Sequence, residues 1–179
     1  MMKVVKATNK NISHAAKIIK CGGVVVFPTD TSYGLGGLFD NKKIINRVLK
    51  IKQRKDKKFT LVASSLNQVE KFFKLNSSQK KLAQKYWPGP ISLVVSKQFA
   101  VRVPKNKVAQ SLARRAGKPI IATSANISGR QPVFSPDQLK IQFQNKKSLP
   151  DLILDFGKLE KTKSSKIILV TKKGWESLR

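Results

Sequence analysis

Short apolar runs punctuate this sequence and helical patterns fill the intervals between them, an alternation that restricts the fold more than any other feature. Residues 24–27 (VVVF), 59–64 (FTLVAS), 91–96 (ISLVVS), 100–104 (AVRVP), 119–123 (PIIAT), 152–156 (LILDF) and 166–171 (KIILVT) read as short strands. Between them, residues 11–23 place Ile12, Ala15, Ala16 and Ile19 on one helical face with Gly22 at the end, and residues 41–54 repeat the pattern through Ile44, Ile45, Val48 and Leu49. Further helical patterns cover 65–73, 77–87, 106–117 and 135–143, the last with Ser135 as N-cap and Pro136 in the first turn. Interleaved helices and strands predict an α/β sandwich around a twisted mixed sheet, formed by residues 1–179 as a single domain.

The chain carries 37 Lys and Arg against 9 Asp and Glu, a formal net charge of +28. That excess favours phosphate-bearing ligands and nucleic acid, although a lysine-rich proteome would produce the same surplus without selection for either. One cysteine, Cys21, and one histidine, His14, supply neither an internal disulfide nor a Cys/His metal cluster, so any metal is expected to arrive with a substrate. No apolar stretch approaches the length of a spanning helix, and the first residues lack the apolar core of a signal peptide. A cytoplasmic location and no membrane partner are therefore expected.

Four polar segments stand at strand ends, where open α/β sheets bind ligands. Residues 27–37 (FPTDTSYGLGG) form either a ligand site or a tight turn in which Pro28 and the glycines shape the backbone. Residues 50–59 (KIKQRKDKKF) are either an ordinary solvated helix end or a polyphosphate clamp, in which Arg54 makes bidentate contacts and Lys52 and Lys58 act as point charges. Residues 119–132 (PIIATSANISGRQP) gather short donors and acceptors around Ser124, Asn126 and Ser128. Arg102 lies in an otherwise apolar strand and needs an anionic partner or an open cavity. Neither GxGxxG nor GxxxxGK[ST] occurs.

In this order, PTDTSYGL, Lys52-x-Arg54-x-x-x-Lys58, WPGP, VRVP and TSANISG closely resemble the YrdC/TsaC family of threonylcarbamoyl-AMP synthases, in its short form. The resemblance implies a YrdC-like fold with a basic concave cavity. It also implies a nucleotidyltransferase that converts ATP, L-threonine and bicarbonate to threonylcarbamoyl-AMP and pyrophosphate, with Mg2+ accompanying ATP. A downstream tRNA threonylcarbamoyl-transferase complex would carry the group to the adenosine beside the anticodon, and direct tRNA contact is a further expectation. By resemblance, Arg54, Lys58, Asn126 and Arg179 meet ATP and Lys52 reinforces the positive field. Thr31, Tyr33, Arg102, Ser124 and Ser165 meet threonine. The alternative in a different class is an RNA-binding module that uses the basic concave face without chemistry.

Overall fold

The computed structural model describes residues 3–171 and 173–178. Strand β1 (Lys3–Lys6) leads into helix α1 (Asn9–Lys20), which Thr8 caps by accepting the Asn11 amide. Strand β2 (Val25–Pro28) is buried along its whole length because each face meets a different layer. Val24 and Val26 join a core that includes α2 (Lys42–Lys52) and β4 (Phe59–Val62), while Val25 and Phe27 pack with α1 and α5 (Lys107–Ala116). Burial on both faces explains an unbroken apolar run where one-sided burial would require alternation.

The remaining elements are β3 (Tyr33–Gly36), α3 (Leu66–Glu70), α4 (Ser77–Tyr86), β5 (Ile91–Val94), β6 (Phe99–Arg102), β7 (Ile120–Ile121), β8 (Thr123–Ser124), α6 (Pro136–Phe143), β9 (Leu152–Asp155), β10 (Lys166–Thr171) and β11 (Gly174–Ser177). The expected mixed sheet is divided in two. One sheet has the order β1-β9-β2-β3-β8, and the other β11-β10-β5-β6-β4-β7.

Residues 119–124 join the two sheets. Ile120 and Ile121 pair antiparallel with β4 in the second sheet, and two residues later Thr123 and Ser124 pair antiparallel with β3 in the first. One predicted strand thus becomes two half-strands, with Ala122 donating its amide to the Thr60 carbonyl at the crossing (2.9 Å).

Strands β1, β3 and β11 do not follow from the apolar pattern. β1 pairs parallel with β9 and is only half-buried, whereas β11 is an exposed edge strand against β10. β3 departs from the turn reading of residues 27–37, since Tyr33–Gly36 pair with Pro28–Val25 and are fully buried. Its glycines serve proximity rather than turning. A Cβ at Gly36 would stand 1.5 Å from the Ile121 carbonyl oxygen, so only glycine lets β3 pass beneath the inter-sheet crossing.

Candidate active site

A cavity of about 1220 Å3 opens where the two sheets meet. Its wall begins just past β2, where Thr29 closes a four-residue turn: its amide and its hydroxyl both donate to the Ser32 carbonyl, at 3.1 and 2.8 Å. Asp30 faces away from the cavity and fixes the turn to the start of α5 by accepting the amides of Lys105 (2.9 Å) and Asn106. Thr29, Thr31 and Ser32 are left lining the cavity.

Arg102, the last residue of β6, is 4 % exposed and lines the same cavity. Its Nη2 lies 3.3 Å from Thr29 Oγ1 and 3.5 Å from Thr31 Oγ1. The cavity answers the question raised by a charge inside an apolar strand, since Arg102 stands at the strand's end where the cavity begins.

The cationic segment follows α2, which ends because Gln53 adopts a left-handed conformation (φ 54°) and turns the chain. Arg54 Nη2 pairs with Asp56 Oδ2 at 2.6 Å and also donates to the Lys58 carbonyl. The guanidinium lies 5.4 Å from the Phe59 ring centroid. Asp56 Oδ1 in turn accepts the Lys58 amide at 3.0 Å, and this bond together with Arg54 holds the Asp56 carboxyl below its usual pKa. The loop is therefore pre-folded, with Arg54 and Lys58 both lining the cavity.

Lys52 has a different task from the expected point charge. It is 3 % exposed, and its Nζ donates to the carbonyls of Ser124 and, at 2.8 Å, Asn126. Burial, aided by the nearby Arg54 charge, pulls its pKa down to about 8. With two of three ammonium protons directed at backbone, Lys52 ties the end of α2 to the polar segment after β8.

That segment supplies Ser124, which pairs with Gly34, and Asn126, whose Nδ2 donates to the carbonyls of Ile127 (3.0 Å) and Arg130 (2.6 Å). Asn126 Oδ1 is buried without a hydrogen-bond partner among the described residues, which is unusual enough to suggest a ligand donor. Ser165 is buried beside Ser92, with Oγ atoms 3.3 Å apart, and both Ser164 and Ser165 line the cavity.

Tyr33 is a correction. Its side chain is fully buried away from the cavity, with its hydroxyl donating to the Gly157 carbonyl (2.8 Å) and accepting the Phe156 amide (2.9 Å). Both hydrogen-bonding roles of the phenol are thus used in anchoring the start of the segment that leads to β10. Arg179 lies outside the described residues.

Lys97, Phe134 and Thr162 also line the cavity and do not follow from the sequence. Thr162 belongs to an exposed lysine-rich stretch between β9 and β10 that is nevertheless tied down: its hydroxyl donates to the Asp30 carbonyl at 3.0 Å and Leu159 donates its amide to the Phe134 carbonyl at 2.7 Å. The hydroxyls of Thr162, Ser164 and Ser165 between two strands were the available signal.

Positive groups stand at both ends of one strand pair. Arg54 and Lys58 precede Phe59, which is in register with Phe99, while Arg102 is in register with Val62. Three residues of strand separate the two positions by ~10 Å. Among the described lining residues, Asp56 is the one carboxylate, and the lining includes no His or Cys. Such a cavity can bind a polyanion at one end and a smaller carboxylate at the other, but offers no thiolate or imidazole nucleophile.

A family model covering Sua5, YciO and YrdC, described as "Telomere recombination", matches residues 17–179. A protein named threonylcarbamoyl-AMP synthase from Psychromonas ingrahamii is 34% identical over 161 residues, covering 80% of this chain and 84% of its own. The crystal structure of P. abyssi Sua5 complexed with L-threonine superposes with a TM-score of 0.88 at 30% identity over 100% of this chain. The present chain spans 57% of that Sua5. E. coli YciO superposes with a TM-score of 0.83 at 26% identity, covering 100% of this chain and 94% of its own.

Proposed function

The chain belongs to the Sua5/YciO/YrdC family, and on that footing we propose that it is a threonylcarbamoyl-AMP synthase, with the cavity as its active site. The observation that carries this reading is the pair of positive poles at the two ends of β4 and β6, joined by hydroxyl-bearing segments. Threonine's amine and bicarbonate give a carbamate with loss of water. A carbamate oxygen then attacks the α-phosphorus of ATP, forming the mixed anhydride as the bond to the β-phosphate oxygen breaks and pyrophosphate leaves. No covalent intermediate on the protein is required, so catalysis rests on positioning and on neutralising phosphate charge.

Arg54 and Lys58 take the triphosphate, with Lys97 at the same end of the cavity. The Arg54–Asp56 pair orients the guanidinium before ATP arrives. Arg102 takes the threonine carboxylate, with Thr31, Ser124 and Ser165 completing the amino-acid end, and Asn126 Oδ1 accepts from the nucleotide. Tyr33 and Lys52 hold the walls. ATP enters as its magnesium complex. The ion would be held chiefly by phosphate and water, and among the described lining residues Asp56 is the one carboxylate that could accept from its hydration shell. The product is a labile adenylate that a tRNA threonylcarbamoyl-transferase consumes in the cytoplasm, and the basic surface would favour direct contact with tRNA.

The deciding experiment is pyrophosphate release by the purified protein with Mg-ATP, omitting L-threonine or bicarbonate in turn. Release that requires both is expected. Release independent of threonine, or none from folded protein, would refute the assignment and turn attention to salt-dependent RNA binding. In the same assay Arg54→Ala should lower turnover by about fivefold to about 150-fold, corresponding to the ~1–3 kcal/mol of a charge-assisted contact. Wild-type kinetics in that variant would remove Arg54 from the phosphate site.

A further inference from the structure

We propose that Thr29 is a positioning residue of the amino-acid end of the cavity, its hydroxyl setting both the direction of the Arg102 guanidinium and the polarity of the Thr31 hydroxyl. This inference rests on reading the cavity as a threonine site.

Thr29 is 5 % exposed, and its Oγ1 lies at the centre of a crowded polar cluster. A threonine hydroxyl has one proton, and here it is directed at the Ser32 carbonyl, 2.8 Å away. Every other polar contact of that oxygen must therefore be accepted. Four donors crowd its two lone pairs: the Thr31 amide (3.2 Å), the Ser32 amide (3.4 Å), Arg102 Nη2 (3.3 Å) and Thr31 Oγ1 (3.3 Å).

Two consequences follow for the ligand. Because the Thr29 proton is committed, the contact between the two threonine hydroxyls has Thr31 as donor, which leaves the Thr31 hydroxyl one lone pair for a ligand beside the one that faces Arg102 Nη2 at 3.5 Å. Thr31 then presents an acceptor suited to an amine or carbamate N–H, while Arg102 presents the donor suited to a carboxylate. An α-amino acid carries both groups on one carbon, so the polarity established by Thr29 matches the order in which they must be received.

A residue that merely closed the turn would affect stability and both substrates alike. Thr29→Val preserves shape and removes the oxygen, and Thr29→Ser keeps the oxygen and removes the methyl. In the pyrophosphate assay, Thr29→Val should raise the KM for L-threonine by about ten- to a hundredfold, as for loss of one or two hydrogen bonds to charged or polar partners. The KM for ATP and kcat at saturating threonine should stay within about threefold, and Thr29→Ser should restore the threonine KM to within about threefold of wild type. An unchanged threonine KM in Thr29→Val, or parallel losses for both substrates that Thr29→Ser fails to rescue, would overturn the proposal. The wild type run alongside distinguishes two failures. Without threonine-dependent release there, the assigned reaction fails; with it, an unaffected Thr29→Val removes the role of Thr29 alone.

Discussion

Lys52→Met should reduce pyrophosphate release by about a hundredfold or more while lowering the Tm by only a few degrees. The two carbonyls that Lys52 holds, those of Ser124 and Asn126, belong to a segment that lines the cavity. Charge-assisted bonds of this kind contribute ~1.5–3 kcal/mol each, and a tenfold change in rate needs only ~1.4 kcal/mol of displaced transition-state stabilisation. Stability is expected to change less than activity because the variant also removes a buried charge, whose desolvation opposes the tether. A circular-dichroism melt beside the kinetic assay separates the two effects, and a Lys52→Met enzyme with wild-type turnover would show that the tether is dispensable.

The same side chain has a pH signature. In the fold Lys52 loses its proton near pH 8, whereas in the unfolded chain it holds it to about 10.5. Between these values the unfolded state binds more protons, so the contribution of Lys52 to stability rises with pH across that window. Below about pH 8 the lysine is charged in both states and the penalty of its burial is fully present. The neutral amine still has two N–H donors for the two carbonyls, so the tether itself survives deprotonation. Melting profiles of wild type and Lys52→Met, compared from pH 7 to 10, should diverge with this sign.

Gly36→Ala should abolish soluble folded protein. The added Cβ would lie 1.5 Å from the Ile121 oxygen and 2.5 Å from its carbonyl carbon, and both obstacles are backbone that cannot rotate aside. Relief requires β3 to part from the crossing at Ile121, whose amide donates to the Gly37 carbonyl at 2.9 Å. A penalty beyond ~4 kcal/mol is expected, in the range reserved for a few severe mechanisms. Gly34→Ala is the milder comparison, because its Cβ would stand 3.1 Å from the Thr29 methyl, a contact that a shift of a few tenths of an ångström relieves. Equal thermal stability of the two alanine variants would contradict this account.

The contrast between these glycines marks how far the sequence can be read. Apolar runs and helical faces place α1, α2, α5 and the strand residues of β2, β4, β5, β6 and β9, because burial of one face or two imposes its period directly. β3 escapes that logic. Its residues are Tyr, Gly, Leu and Gly, whose strand character comes from what lies across from them at Val25–Pro28 and Ser124. β11 escapes for the opposite reason, as an exposed edge with no buried face to pattern.

At the site, types of residue were legible and tasks were not. Arg102 is marked by a charge among apolar neighbours, and Arg54 and Lys58 by their spacing. Nothing in the order of residues says that Lys52 points at Ser124 and Asn126, more than seventy positions away. Nor does it reveal that the Tyr33 hydroxyl is spent on Phe156 and Gly157. Such partners are set by the meeting of the sheets.

The crossing at residues 119–124 leaves that stretch little freedom to vary. A replacement at Ile121 must satisfy β4, leave room for the carbonyl above Gly36, and hand the chain on so that Ser124 still lines the cavity. Requirements that most proteins distribute over separate segments here fall on half a dozen adjacent residues, so drift in either sheet must be absorbed elsewhere, and this short crossing should be the slowest part of the chain to diverge.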